Sequence, residues 1–367
     1  MKELTYIDVV LIGIGYILGA GIYTLLGLIS KYSGNMIWLS ILITGIISLI
    51  TAYSYMQMAK TSDQNETEYD QIKNSFGSNT ALVVISLAII STIFSASVIS
   101  IGFGNYLQSL IGIPSIIGGS LILLTTCYIN IIGLRETVNV NSITTILEIL
   151  GLLIIIVMGY SKWNYKTLTQ RPSGGINSIL YGSYMFSFAF FGFETLIRLS
   201  EETINSKEVI PKAIRDSIIF TMILYILVGM SAISLIGPKR LGSSLAPLSE
   251  VVKDINPMMA KIIGVIALGS AYNTVLMTLL TNSRLMYGLI ERDIIRIPLI
   301  DRIMNLKEKN DKDIPVNVLI FNTILAVLIM VLMPSLESNT LIANVGIILL
   351  LVMINMSYLK NVIQGKQ

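Results

Sequence analysis

The sequence predicts an all-α polytopic membrane protein with ten transmembrane helices. Of its 367 residues, 53% are hydrophobic and 13% charged, and the mean hydropathy is +0.76. A soluble globular chain carries about a quarter charged residues, so 25 basic and 22 acidic side chains are too few to coat a water-facing surface. Apolar runs near the roughly 20 residues that span a hydrocarbon core recur along the whole chain.

That window places spans at 6–29, 35–59, 80–111, 114–133, 142–160, 176–199, 213–236, 258–284, 314–334 and 339–359. The first follows MKELTYIDVV, where Glu3 and Asp8 precede a long apolar run and no small-residue cleavage site lies close behind. It reads as a retained helix, not a signal peptide. The third is over-long, as a tilted or partly interfacial helix would be. Connections 60–79 and 285–313 fall on one side, and short links with 237–257 on the other. With both termini inside, 17 of the 25 basic residues lie on the inner face and 8 on the outer, so the positive-inside bias predicts cytoplasmic termini. The mixed-sign stretch from Arg292 to Asp313 reads as a solvated loop.

Composition removes several function classes. There is no histidine, which excludes His-ligated metals, Ser-His-Asp triads and imidazole proton relays. Cys127 is the only cysteine, so neither an intrachain disulfide nor a thiolate zinc cluster can form. The net charge of +3 is scattered and supplies no basic stripe for nucleic acid and no polybasic tail for lipid.

The first span reads IGIGYILGAGIYTLLG and crowds Gly13, Gly15, Gly19, Gly21 and Gly27 into one helix, with Gly19 to Ile22 near its midpoint. Glycine there loosens the helix and admits close approach to the backbone. The sixth span starts about 170 residues later, and that offset carries positions 19–22 onto Ala189, Phe190, Phe191 and Gly192. Matching weak points in two halves suggest an internal repeat, 6–160 and 176–359, and broken helices at equivalent places point to a transporter's central site. The competing reading is close packing alone, since Gly15 and Gly19 also form GxxxG.

GAGIY in the first span, YSYMQMAK closing the second, INIIGLRETVNVNSITTILEILGLLIIIVMG across spans four and five, and FAFFGFETLIRLSEETINSKEVIPKAI resemble the amino acid–polyamine–organocation permeases. The last string carries an aromatic-rich break, a Gly-aromatic-acid triplet, a Glu pair and a Pro-x-Ala-Ile opening to helix seven. LAPLSEVV, SRLMYGL and IPVN extend the likeness over nearly the whole chain. The resemblance implies the leucine-transporter fold of two inverted five-helix repeats, with substrate held between unwound parts of helices one and six. Many relatives add two further helices. Departures from the pattern are Gln57, where relatives often carry Glu, and Asn205–Ser206, where they usually have Asn-Pro.

By that resemblance Gly19, Ala20 and Gly21, with Ile22 beside them, meet a substrate carboxylate, for which half-helix N-termini are suited. Carbonyls of Leu18, Phe190 and Phe191 at the Gly192 break face the ammonium. Side-chain choice falls to Phe188, Phe191 and Phe193, whose rings favour apolar, aromatic or cationic groups or serve bundle packing. Glu194 follows the break and either senses protonation and cationic substrate or pairs with Arg198 at i+4. Glu201 and Glu202, with Lys207, Lys212 and Arg215, read as a gate or loop network. Glu148, some six residues into span five, is a proton carrier, a sodium ligand together with Asn273 and Thr274 on span eight, or a structural hydrogen-bonding group. Asn65–Thr67 and Asn355–Ser357 match a glycosylation sequon by chance.

The expected function is secondary active transport of amino acids, by symport or exchange through alternating access. The expected partners are a small amino acid and the lipid bilayer, not nucleic acid, and no cofactor beyond a coupling H+ or Na+. The rival is a non-transporting amino acid receptor on the same fold, like spore-germination receptor subunits. A channel lacks any filter-like carbonyl run or ring of charges, and no enzyme constellation competes.

Overall fold

The computed structural model describes residues 4–61, 68–133, 138–298, 301, 304–312 and 314–365, without the side chains at 61, 138–141, 198, 201 and 202. Regular structure among them is helical, apart from one isolated bridge between Leu4 and Thr203. The Asn65–Thr67 sequon and Arg135 lie outside the described residues, as do the side chains of Arg198, Glu201 and Glu202.

α1 (Tyr6–Ser33) starts on a capping box. The Thr5 N–H donates to Asp8 Oδ2 at 2.9 Å, and the Asp8 N–H donates back to Thr5 Oγ1 at 3.4 Å. A 3-10 turn over Gly34–Met36 leads into α2 (Ile37–Thr61). α3 (Glu68–Phe76) falls in the predicted 60–79 connection. Its buried residues Tyr69, Ile72 and Ser75 recur every three positions, one face of a short amphipathic helix. α4 (Ser78–Ile111) has 34 residues, a length of about 51 Å at 1.5 Å per residue. That exceeds the roughly 30 Å core, as the over-long third span predicted. α5 (Ser115–Ile132) ends at Gly133 in the left-handed region (φ 66°), and α6 (Val138–Gly159) and the single-turn α7 (Tyr165–Leu168) follow.

The sixth predicted span is not one α-helix. α8 (Gly175–Phe186) passes into 3-10 turns at Ser187–Phe190 and Phe193–Glu202. α9 (Ser206–Ser243) runs past the predicted end at 236, because the chain turns at Gly237 (φ 72°, ψ 164°) before Pro238 and resumes helical form. α10 (Pro247–Lys253) occupies the rest of that predicted link. α11 (Pro257–Glu291), α12 (Val316–Leu332) and α13 (Leu336–Ile363) complete the chain. Each of the ten predicted spans thus coincides with a helical segment. Those from α1–α2, α4, α5, α6, α9, α11 and α13 are long and apolar enough to cross a bilayer. The chain is a multi-pass integral membrane protein.

The helices form two compact units, and each draws on both halves of the chain. The first comprises Met1–Asn65, Tyr106–Gly112 and Thr137–Ser270, in which α9 lies along both α1 and α2. Small residues set the spacing of α9 from α2 and from α6. A Cβ on Gly229 would meet Ile41 at 3.0 Å, and one on Gly159 would meet Ser231 at 2.5 Å. The second comprises Glu66–Asn105, Ile113–Glu136 and Ala271–Gln367. There amide side chains join helices: Asn130 Nδ2 donates to the Leu276 carbonyl at 3.0 Å and Asn322 Nδ2 to Ser283 Oγ at 3.1 Å. Ser357 Oγ donates to the Gln71 carbonyl at 3.1 Å and Lys360 Nζ to that of Ser75 at 2.6 Å, which ties α3 to α13.

Candidate functional site

The glycine cluster of the first span opens the helix at Gly19. Its φ of 22° and ψ of −158° interrupt an otherwise continuous α1, and every residue from Ile17 to Ser30 is buried. A break of this kind takes carbonyls before it and amides after it out of the i→i−4 ladder. Two of those carbonyls have a partner in the structure. Tyr225 Oη on α9, fully buried, lies 2.9 Å from the Ile17 oxygen, 3.0 Å from the Leu18 oxygen and 3.4 Å from the Ala189 oxygen. A hydroxyl has one proton, so these acceptors share it, and each carbonyl keeps lone-pair capacity for a further donor.

The second break lies at Phe191 and Gly192, the last two of the four positions predicted. Ala189 and Phe190 stay in the 3-10 turn, Phe191 is extended (φ −67°, ψ 153°), and Gly192 takes φ 119°, which a residue with a Cβ rarely adopts. Glu194 caps this turn, because the Gly192 N–H donates to Glu194 Oε2 at 2.8 Å. Its carboxylate therefore has a local role that neither sequence reading assigned. Phe193–Glu202 is a ten-residue 3-10 segment, whereas such runs seldom exceed three or four residues; long ones mark hinges or strain.

The two breaks touch. A Cβ on Gly21 would sit 2.7 Å from the Ala189 Cα, and one on Gly192 would sit 2.8 Å from the Tyr16 carbonyl oxygen. Position advances along α1 as it retreats along the other segment, so the broken stretches cross antiparallel. Gly21, within the predicted Gly19–Ile22 stretch, thus packs on Ala189 rather than merely standing at a matching offset.

The aromatic residues divide. Phe190 is sealed, edge-on to Phe186 at 5.9 Å and to Tyr225 at 5.6 Å between centroids. Phe193 is equally buried and stands at 89° to Tyr55, 5.8 Å away. Phe188 and Phe191 form a separate tilted pair at 6.4 Å, and Phe191 is half-buried beside the break.

Glu148 is buried on α6 at 3% exposure. It lies ten residues after the helix start at Val138, or about 15 Å along the axis rather than the six residues expected from the hydropathy window. Tyr23 Oη donates to the Glu148 carbonyl at 3.5 Å. Tyr106 Oη donates to the Tyr23 carbonyl at 3.1 Å and accepts the Leu248 N–H at 3.2 Å. The carboxylate-bearing turn of α6 is thereby placed against α1 just beyond Gly19. Asn273 and Thr274 are half-buried on α11 and belong to the other unit.

Tyr23, Tyr106 and Tyr225 did not stand out in the sequence reading. Their signal was a phenol at membrane depth, where a buried hydroxyl needs a hydrogen-bond partner.

The profile of the amino acid permease family matches residues 4–367. The chain belongs to the amino acid permease family. It is 28% identical over 275 residues to cationic amino acid transporter 7, chloroplastic, of Arabidopsis thaliana, covering 68% of this chain and 47% of that protein. It is 26% identical over 313 residues to the branched-chain amino acid permease BcaP of Bacillus subtilis, covering 78% and 67%. It is 25% identical over 314 residues to cationic amino acid transporter 6, chloroplastic, of Arabidopsis thaliana, covering 78% and 54%. The chain therefore spans about half to two thirds of the length of these relatives. The names are those of transporters, not enzymes, and they support the resemblance carried by GAGIY and by the string from Phe188 to Ile214.

Proposed function

We propose that this amino acid permease family member is a secondary active amino acid transporter that holds its substrate at the touching breaks of α1 and of the α8-to-Glu202 segment. The observation that carries the reading is the pair of breaks at Gly19 and Gly192, packed against each other inside one unit and each built on a positive-φ glycine. Opposed helix ends offer amides to a carboxylate and carbonyls to an ammonium without a buried side-chain charge. Gly19, Ala20 and Gly21 take the carboxylate. Carbonyls of Leu18, Phe190 and Phe191 take the ammonium, and Phe188 with Phe191 contacts the side chain.

Burial at 3% makes Glu148 a costly carboxylate and a candidate coupling group. We favour proton coupling, since one carboxylate carries a proton unaided but rarely forms a sodium site alone. Transport proceeds by alternating access in a chain built of two five-helix repeats, 6–160 and 176–359, with termini in the cytoplasm of a plasma membrane-type bilayer.

The test is counterflow in liposomes with a panel of labelled amino acids. Lysine and arginine belong in it because the Arabidopsis relatives are named for cationic amino acids, and leucine, isoleucine and valine because BcaP is named for branched-chain ones. Saturable exchange of one class supports the transporter. Specific binding with no movement of label identifies a receptor instead.

A further inference from the structure

We propose that a cavity between the end of α2 and the start of α9 binds the headgroup of an anionic phospholipid. The cavity encloses about 550 Å³. Tyr53, Met56 and Pro211 contribute apolar lining, and Lys60, Lys207, Lys212 and Arg215 line it against a single lining carboxylate, Glu208. Lys212 pairs with Glu208 at 3.6 Å and Arg215 with its neighbour Asp216 at 2.7 Å. Lys60 and Lys207 are not ion-paired among the described residues. Lys207 also occupies the first turn of α9, where the helix dipole disfavours a cation. Helix stability therefore does not account for this concentration of positive charge, and a bound anion relieves it.

The surroundings select a lipid over a soluble anion. From Tyr53, Ile50 and Ile46 repeat at helical spacing along one exposed face of α2; Ile50 is 67% and Tyr53 50% exposed. A phosphate or carboxylate in water has no use for it, whereas an acyl chain covers it while the headgroup meets the lysines. Lys60 lies in the last turn of α2 and Lys207 in the first turn of α9, the helix ends at which lipid headgroups lie.

The full chain carrying Tyr53→Trp, solubilised in detergent, is titrated with brominated phosphatidylglycerol or brominated phosphatidylcholine. Quenching at the new indole is read after subtracting the parent, which retains Trp38 and Trp163. Phosphatidylglycerol is expected to quench at a concentration at least tenfold lower than phosphatidylcholine. Lys60→Gln, Lys207→Gln and Lys212→Gln each remove about fivefold of that preference, and the triple variant, checked for an unchanged melting temperature, loses it. Equal quenching by the two lipids, or a preference that survives the triple variant, overturns the proposal. Displacement of the lipid by inorganic phosphate, but not by sodium chloride of equal ionic strength, assigns the cavity to a soluble anion and overturns it equally.

Discussion

Tyr225 Oη stands 3.0 Å from the carbonyl oxygen of Leu18, the residue before the α1 break, and the same oxygen reaches Ala189 on the second broken segment at 3.4 Å. One α9 side chain thus holds both interrupted helices. Tyr225→Phe keeps the ring packing on Phe186 and Phe190 but leaves buried carbonyls short of a donor, at a cost of about 1–3 kcal/mol. The expected outcome is a lower melting temperature in detergent and weaker substrate binding. Scanning fluorimetry with and without substrate reads both.

Gly21→Leu and Gly192→Leu are expected to abolish substrate binding while leaving the protein inserted. At Gly21 even alanine must displace backbone, since its Cβ would lie 2.7 Å from the Ala189 Cα, and overpacking of this kind costs about 1–3 kcal/mol. Gly27, though nearer the helix end, is no control, because a Cβ there would meet Pro247 at 2.7 Å and the Leu241 oxygen at 2.9 Å. Gly269 has open space around its Cβ direction, so Gly269→Ala should bind substrate like the parent. Binding retained by both Leu variants would reduce the glycines to packing.

Glu148→Gln in liposomes separates coupling from structure. Gradient-driven uptake should fall at least tenfold while exchange persists, with uptake followed separately against pH and sodium gradients. Unchanged pH-driven accumulation would remove Glu148 from the coupling path.

Arg240 binds Glu250 at 2.6 Å and also Asp254, and its guanidinium holds the Asp254 carboxyl below the usual carboxylate range. A carboxyl depressed in the folded state contributes stability that is present above its unfolded pKa of about 3.9 and is lost as pH falls through the folded value. The melting temperature should therefore drop below about pH 4, and Arg240→Gln should flatten that drop. A variant that retains the parent's full acid sensitivity would assign it to other groups.

Cysteines placed at Asp311 and Lys166, both exposed, should label from opposite sides of the membrane. Asn310 is unsuitable because its side chain bonds the Ile131 carbonyl and the Lys312 and Ile314 amides. Labelling of both positions from outside would overturn the proposed topology.

Hydropathy alone located the membrane helices, because a span must be apolar along roughly 20 residues whatever it packs against. It failed where a short-range signal was ambiguous. Gly237–Pro238 reads as a helix end but is a redirected helix, and the polar segment from Glu68 reads as loop although α3 buries one face on α13. Glycine clustering placed the α1 break within Gly19–Ile22, where it falls on Gly19, and the 170-residue offset placed the second within 189–192, where it falls on Phe191 and Gly192, whose φ of 119° suits glycine.

By itself, then, the sequence determined that the chain spans a membrane, that it lacks histidine and disulfide chemistry, and that two helices are weak within Gly19–Ile22 and Ala189–Gly192. Those properties follow from residue type and local spacing. Only the tertiary structure decided that Gly21 packs on Ala189, that Tyr225 reaches carbonyls about 207 positions away, that Glu194 caps its own break, and that Phe193 faces Tyr55 while Phe188 faces Phe191. Each of these depends on which helix stands beside which and in what rotation, and helix packing sets that through close contacts between residues far apart in the chain.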